Sequence, residues 1–107
     1  MGTAGVEDGL YGSMSTPAVT ENRHLGRFEL LHRGEVVSFA TYTERDGVVV
    51  VPYVETVRER RGNGHAGELM EGVLAILRSD GRTITPLCPF ARAHIDARPE
   101  HADLVTL

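Results

Sequence analysis

The chain contains no lysine, and all 11 of its basic residues are arginines. It therefore has no side-chain amine for a Schiff base, and it lacks the lysine that a P-loop uses on nucleotide phosphates. Cys88 is the single cysteine, which excludes an internal disulfide and any metal site built from several cysteines. The net charge of −4 argues against non-specific nucleic-acid binding, which needs a basic face.

Long apolar runs are also missing. No run approaches the roughly 20 residues that cross a bilayer, and no signal-peptide segment is present, so we expect a cytoplasmic protein with no membrane partner. A length of 107 residues, with 41% apolar and 24% charged residues, is typical of one globular domain. Residues 1–20 are rich in Gly, Ser and Thr, which predicts a disordered leader before a single folded domain at 21–107.

Alternating apolar residues predict three strands before the first helix, at 27–32, 35–43 and 48–56. Arg33-Gly34 and Asp46-Gly47 are typical of two-residue hairpin turns, so the strands should form an antiparallel meander. Pro52 lies inside the third strand and has no N–H to donate. It therefore indicates an edge, a bulge or a place where pairing stops.

Apolar residues at helical spacing predict a helix from about Gly64 to Arg78, ended by Gly81. A short buried strand is predicted at 83–87, parallel to the third strand because a helix connects the two. Further short helices are predicted at 90–97 and 100–105. The order β-β-β-α-β-α indicates an α+β fold, with a mixed sheet in which the meander leads into a β-α-β-α segment.

The segment between the third strand and the helix carries the strongest functional signal. Residues 60–67 read Arg-Arg-Gly-Asn-Gly-His-Ala-Gly. Backbone N–H groups and the positive end of a helix dipole attract anions at such a position. Glycine lets a phosphate approach the backbone without meeting a Cβ. We therefore predict a pyrophosphate-bearing ligand at residues 61–67.

Two other interpretations of this loop are weaker. Gly62-x-Gly64-x-x-Gly67 matches the dinucleotide fingerprint, but the strands before it are linked by hairpins and the next strand ends without an acidic residue for a ribose. The loop could also be a structural turn whose glycines only allow tight packing. Arg60 and Arg61 argue against that alternative because they add positive charge where an anion would lie.

Residues 61–66, Arg-Gly-Asn-Gly-His-Ala, resemble the acyl-CoA loop of the GNAT N-acetyltransferase superfamily, and the predicted element order fits that fold. The chain is more closely similar to the minimal GNAT-like proteins, over residues 21–107. The matching segments are Tyr53-Val54-Glu55-Thr56, Arg61-Gly62-Asn63-Gly64, Cys88-Pro89-Phe90-Ala91-Arg92-Ala93-His94-Ile95 and Arg98-Pro99-Glu100-His101.

The resemblance implies an enzyme that uses acetyl-CoA as co-substrate and moves its acetyl group to a primary amine of a protein or a small molecule, by direct attack. The negative net charge mildly favours cationic acceptors. His24, His32 and His65 have no metal-ligand spacing with acidic or thiol partners, so we predict no metal. The residues implied in acetyl-CoA binding are Thr56, Val57, Arg60, Arg61, Gly62, Asn63, Gly64, His65, Ala66 and Gly67. The side chain of His65 would either help to bind phosphate or face solvent.

Three residues are candidates for catalysis. Glu55 is the candidate base, directly or through water, and its alternative is a solvated glutamate or one ion-paired with Arg58 or Arg61. The resemblance places His94 near the leaving sulfur, where it would donate a proton; its alternative is a surface histidine. Cys88 would form an acetyl-cysteine, line the thioester pocket or be an inert buried thiol.

The sequence also departs from the family pattern. Glu59 lies at the position of a glutamine or arginine, Tyr53 replaces a histidine, and His94 and His101 replace tyrosines. These differences keep open a competing class, a non-catalytic module that binds CoA or another protein on the same scaffold. A purely structural domain is a third possibility. The oligomeric state is not indicated.

Overall fold

The structure, a computed structural model, describes residues 18–107. Its strands and helices follow the chain in the order β1 (Ala18–Asn22), β2 (Arg27–His32), β3 (Glu35–Arg45), β4 (Val48–Thr56), a 3-10 helix (Arg58–Arg60), α1 (His65–Asp80), β5 (Thr83–Pro86), α2 (Pro89–Asp96) and a second 3-10 helix (Pro99–Leu104). No helix in this part of the chain is both long and apolar enough to cross a membrane.

The sheet has the strand order β1-β2-β3-β4-β5. Its first four strands are antiparallel, and β5 is parallel to β4, as the helical crossover predicts. The two hairpin turns are confirmed: Arg33 and Gly34 have φ of 54° and 81°, and Asp46 and Gly47 have φ of 53° and 80°. Two consecutive left-handed residues are what a tight hairpin turn requires. The mixed α+β sheet is therefore as predicted.

One predicted boundary is wrong. The sequence places residues 18–20 in a disordered leader, yet they belong to β1 and pair with β2. In β1, Val19 packs against the core from an otherwise largely polar strand, so the local sequence carries little strand signal. The rest of the predicted leader, 1–17, lies outside the described residues. The last predicted helix is present as a 3-10 helix.

A β-bulge in β4 decides which side chains face the helices. Thr41 pairs with Tyr53 and Thr43 with Val50, so β4 advances three residues where β3 advances two. The extra residue falls at Val51-Pro52, where the sequence predicted an irregularity. Pairing with β5 also ends there, at Val51.

Beyond the bulge the alternation of β4 is inverted. Val54 pairs with Ala40, which is fully buried beneath α1, and the hydroxyls of Thr56 and Ser38 lie 3.1 Å apart. Val54 and Thr56 therefore face the helices. Tyr53 and Glu55 point to the opposite face of the sheet, because neighbouring residues of a strand alternate.

The core lies between the sheet and the apolar face of α1. The residues that form this face are all buried, in agreement with the predicted spacing: Leu69, Met70, Val73, Leu74 and Leu77. Each such side chain contributes roughly 1.5–3 kcal/mol through burial. The helix ends as predicted at Gly81, whose N–H donates to the carbonyls of Leu77 and Arg78. This packing fixes α1 over β1, β2 and β3 and sets the position of its first turn.

Gly72 is the point of closest approach between α1 and β1. A Cβ placed on Gly72 would overlap with the Cβ and Cγ2 atoms of Val19. The absence of a side chain at this helical position is therefore a packing requirement, which explains why α1 tolerates an interior glycine.

Replacing Gly72 with alanine should destabilise the protein by about 1–3 kcal/mol, because the new methyl group forces β1 away. At an open helical position the same change would stabilise by roughly 1 kcal/mol. Urea unfolding followed by circular dichroism measures the difference, with the exposed Ser79→Ala as control. A gain in stability for Gly72→Ala would contradict the packing described.

Arg82 links the two edges of the sheet, because it directly precedes β5 and bonds to β1. Its buried guanidinium donates to Glu21 on β1 at 2.7 Å, to Glu44 on β3 at 2.9 Å and to Asp80 at 2.7 Å. Tyr42 donates its hydroxyl to Glu21 as well. The hydrogen bond from Arg82 lowers the pKa of Glu21 against the opposing effect of burial, while burial and the bond to Glu21 raise the pKa of Tyr42 to about 12.

Arg82→Met should lower the free energy of unfolding by about 3 kcal/mol, because it leaves the carboxylate of Glu21 partly buried without its main partner. Arg78→Met is the matched control, since the Arg78–Asp103 pair is exposed and should contribute about 0–1 kcal/mol. Urea titrations at neutral pH compare the two. Equal losses for both variants would show that Arg82 is no more than a surface cation.

Candidate active site

Two glycines shape the loop before α1. Gly62 and Gly64 have φ of 86° and 76°, a conformation that side chains other than glycine rarely adopt. No atom lies within 4 Å of a Cβ placed on either residue, so open space borders the loop. The loop is held by Arg61, whose Nε donates to the Thr56 carbonyl at 3.2 Å, and by Asn63, whose Nδ2 donates to the Arg60 carbonyl at 3.1 Å.

The first turn of α1 presents free hydrogen-bond donors. The helix begins at His65, and Glu68 is the first residue whose N–H bonds back to the turn, to the Gly64 carbonyl at 3.2 Å. Gly64 has no side chain to cap the helix. The N–H groups of His65, Ala66 and Gly67 therefore have no acceptor among residues 18–107, and the helix dipole places partial positive charge on them.

A cleft of about 650 Å³ opens in front of these donors. It lies between the loop, the first turn of α1 and one side of α2. Most of the predicted binding residues line it, together with the predicted acid. The lining residues are Thr56, Arg61, Gly62, Gly64, His65, Ala66, Gly67, Phe90, Ala93, His94 and Arg98.

Three of the predicted binding residues are not part of this lining. The Arg60 guanidinium lies 3.4 Å from Glu35 and 3.2 Å from the Nδ1 of His32. Val57 donates its N–H to the Val37 carbonyl, and the Asn63 side chain is engaged within the loop. These residues hold the shape of the loop, and a direct contact with a ligand stays a prediction.

His65 does not face solvent, as one of its two predicted alternatives had it. Its side chain is only 10% exposed, and its Nδ1 lies 2.8 Å from Glu68. Its ring centroid is 6.1 Å from that of His32. The imidazole is therefore largely enclosed, and His65 is one of the residues that line the cleft beside the free N–H groups.

Glu55 lies on the far face of the sheet, as the bulge in β4 requires. Its carboxylate accepts the hydroxyl of Tyr53, and this hydrogen bond raises the pKa of Tyr53. Of the predicted alternatives, the ion pair with Arg58 or Arg61 is absent from the described part of the chain, and the solvated glutamate stays open. Glu55 is thus separated from the cleft by the strand that carries it, and its role as a base stays a prediction.

Cys88 is buried rather than part of the cleft lining. It is 7% exposed, precedes the first residue of α2 and belongs to the main hydrophobic core. Its backbone N–H and that of Leu87 both donate to the Val51 carbonyl at 3.0 Å. These two bonds close the end of the β4–β5 pairing. The position fits the inert buried thiol among the predicted alternatives.

His94 enters the cleft from α2 with its ring almost fully enclosed. The side chain is 5% exposed, so the alternative of a surface histidine is wrong. Its Nε2 lies 2.6 Å from Oε2 of Glu71, and Phe90 flanks the ring at 6.0 Å between centroids. A Cβ on Gly67 would lie 3.7 Å from Cε1 and 3.9 Å from Nδ1 of this ring. His94 therefore faces the first turn of α1.

Glu71 is a site residue that was not predicted from the sequence. Its carboxylate also accepts from Nε2 of His101 at 3.1 Å and lies 3.4 Å from Nε of Arg98. Burial raises the pKa of Glu71, but the hydrogen bonds from His94 and His101 outweigh it and hold that pKa below its usual value. Its position one helical turn after Gly67, on the same face of α1, was the available signal.

Within residues 18–107 no three or more His, Cys, Asp or Glu side chains are arranged to hold a metal ion.

The fold is similar to that of a known protein. A GCN5-like protein from Staphylococcus aureus, whose structure was determined by NMR in solution, superposes with a TM-score of 0.62. The match has 18% identity and covers 88% of this chain and 90% of the other. This likeness defines the fold as GNAT-like. Among curated proteins, none matches the chain.

The family follows from the sequence match. The model of the GCN5-related N-acetyl-transferase family matches residues 27–104, which include every strand but β1 and the entire candidate site. The chain belongs to this family and is an acyltransferase. The resemblance drawn from the loop and from the segments around Cys88 and Arg98 is thus confirmed.

Introducing a carboxylate into the loop should weaken the binding of acetyl-CoA. Gly62→Glu places negative charge beside the free N–H groups, where it repels phosphate, and we expect the affinity to fall by about tenfold or more. Gly47→Glu is the matched control, because Gly47 has an equally positive φ and open surroundings in a hairpin. Calorimetric titration with acetyl-CoA compares the variants. An equal loss in both would mean that only backbone strain had been measured.

Proposed function

We propose that this protein transfers the acetyl group of acetyl-CoA to a primary amine, on a protein or a small molecule, by direct attack of the amine on the thioester. The observation that carries the proposal is the set of three free N–H groups at the start of α1, which face a cleft bordered by Gly62 and Gly64. Oriented backbone donors at a helix start are well suited to a pyrophosphate.

The donor would bind along two surfaces. The pyrophosphate lies on the N–H groups of His65, Ala66 and Gly67, with the Arg61 guanidinium beside it. The acyl arm follows the end of β4, where the strand continues to Thr56 although its pairing with β5 ends at Val51. That unpaired edge supplies backbone hydrogen bonds to the pantetheine amides and to the thioester.

The transfer itself needs few side chains, because the thioester is already activated. The amine nitrogen bonds to the carbonyl carbon, the C–S bond breaks, and the electron pair leaves with sulfur. Glu55, at the open face of the same strand end, accepts the proton of the arriving ammonium, and the nitrogen releases a second proton to water as the amide forms. His94, on the helix side, donates a proton to the thiolate. Cys88 takes no part, in keeping with its burial.

Turnover of a panel of amines tests this proposal, with release of the CoA thiol as the signal. Glu55→Gln and His94→Gln should each lower kcat by about 10²-fold or more while the Kd of acetyl-CoA stays unchanged. Asp46→Asn is the control, since it removes an exposed carboxylate from a distant hairpin. Because the chain has no lysine, mass spectrometry of acetylated protein acceptors is free of acetylation on its own side-chain amines.

Binding of acetyl-CoA without turnover of any amine would contradict the transferase proposal and favour a CoA-binding module. Unchanged kcat in Glu55→Gln, with turnover intact in the parent protein, would remove Glu55 from the mechanism.

A further inference from the structure

We infer that Glu71 is the positioning residue of this site. Its carboxylate holds His94 in the tautomer with hydrogen on Nε2, which leaves the unprotonated Nδ1 facing the cleft. The inference rests on the proposed function for its chemical use, but its geometry stands by itself. It adds a side chain of α1 to the proton transfers, which otherwise involve Glu55 on β4 and His94 on α2.

The half-exposed carboxylate of Glu71 is the shared acceptor of a cluster whose two imidazoles are enclosed. His94 approaches it at 2.6 Å, His101 at 3.1 Å, and Arg98 at 3.4 Å. Arg98 also donates to the backbone carbonyl of His94 at 3.2 Å, which holds the end of α2 against the cluster. Three donors from the C-terminal part of the chain thus converge on one residue of α1.

The acceptor determines which nitrogen of the His94 imidazole carries the hydrogen. An ionised carboxylate can only accept, so the Nε2 of His94 must carry the hydrogen in this bond. In the neutral ring Nδ1 then carries a free lone pair, and it makes no hydrogen bond within residues 18–107. This nitrogen lies beside Gly67, whose N–H is one of the free donors of the cleft. The unprotonated nitrogen therefore faces the cleft that would hold the acyl donor.

The two histidines that share Glu71 are not equivalent. The Nδ1 of His101 is buried and has no hydrogen-bond partner, so a second proton on that ring would bury an unsatisfied N–H. The Nδ1 of His94 lines an open cleft where a ligand atom can meet it. Of the pair, His94 alone is placed to take and release a proton, and His101 helps to hold the carboxylate.

The cluster fits the proton transfer that ends the reaction. Imidazolium at His94 carries hydrogen on both nitrogens, and Glu71 accepts the one on Nε2. The Nδ1 proton moves to the thiolate as the C–S bond breaks, and the ring returns to the neutral form with hydrogen on Nε2. Glu71 keeps its own hydrogen bond throughout and does not exchange a proton.

Nitrogen NMR of the full chain labelled with ¹⁵N-histidine tests the assignment without any variant. In the neutral form of His94 we expect the shifts of a protonated Nε2 and an unprotonated Nδ1. Glu71→Ala should give a mixture of tautomers, whereas Glu71→Gln, whose amide oxygen also accepts, should keep the Nε2–H form. Asp96→Asn, which removes a carboxylate from α2, should change neither.

Kinetics supply the second readout. Glu71→Gln and Glu71→Ala should lower kcat about 10-fold to 100-fold, with KM for acetyl-CoA unchanged. A parent His94 protonated on Nδ1 in the neutral ring, or unaltered tautomer and kcat in Glu71→Ala, would overturn the inference. If the parent protein turns over no amine, the proposed function fails, while the NMR shifts still decide the tautomer.

Discussion

The arrangement of the site depends on one missing hydrogen-bond donor. Pro52 has no N–H, and β4 accordingly bulges against β3 at Val51-Pro52 and stops pairing with β5 at the same point. The carbonyl of Val51 takes the N–H groups of both Leu87 and Cys88, which closes the ladder and directs the chain into α2. Past this point β4 stays paired with β3 as far as Thr56, but its other edge has no partner among the described strands, and its side chains are inverted.

That inversion separates the two faces of the strand end. Thr56 comes to the helix side, beside the loop and α1, while Glu55 comes to the open side with Tyr53. A substrate carbonyl held at the free edge would therefore be accessible from both sides, to the donor-binding cleft on one and to an acceptor on the other. The strand is the partition between the two halves of the proposed reaction.

The positive end of α1 explains how an acidic protein would attract an anionic ligand. The net charge of −4 is spread over the chain, and several carboxylates are already paired, as Glu21 is with Arg82. The start of α1 carries oriented N–H groups with no competing side-chain cap, and Arg61 adds a full charge. Local dipoles and one well-placed guanidinium therefore outweigh the distant net charge over the few ångströms that matter.

Much of this fold could be predicted from the sequence, because its signals are local. The hairpin turns, the apolar face of α1 and the loop glycines each depend on neighbouring residues. Strand β1 was not predicted because it is largely polar, and its Val19 packs on the core against Gly72 of α1, far along the chain. The orientation of Glu55 requires the register of β4 against β3. Glu71 is an ordinary helical glutamate until the folding of α2 brings His94 against it.

The most direct test of this account is an acetyl-CoA titration followed by backbone amide NMR. Saturable shifts of the His65, Ala66 and Gly67 amides, together with the ring of His94, are the result that the account predicts. Saturation with shifts confined to other parts of the chain, or no saturation at all, would contradict the placement of the acyl donor at the start of α1.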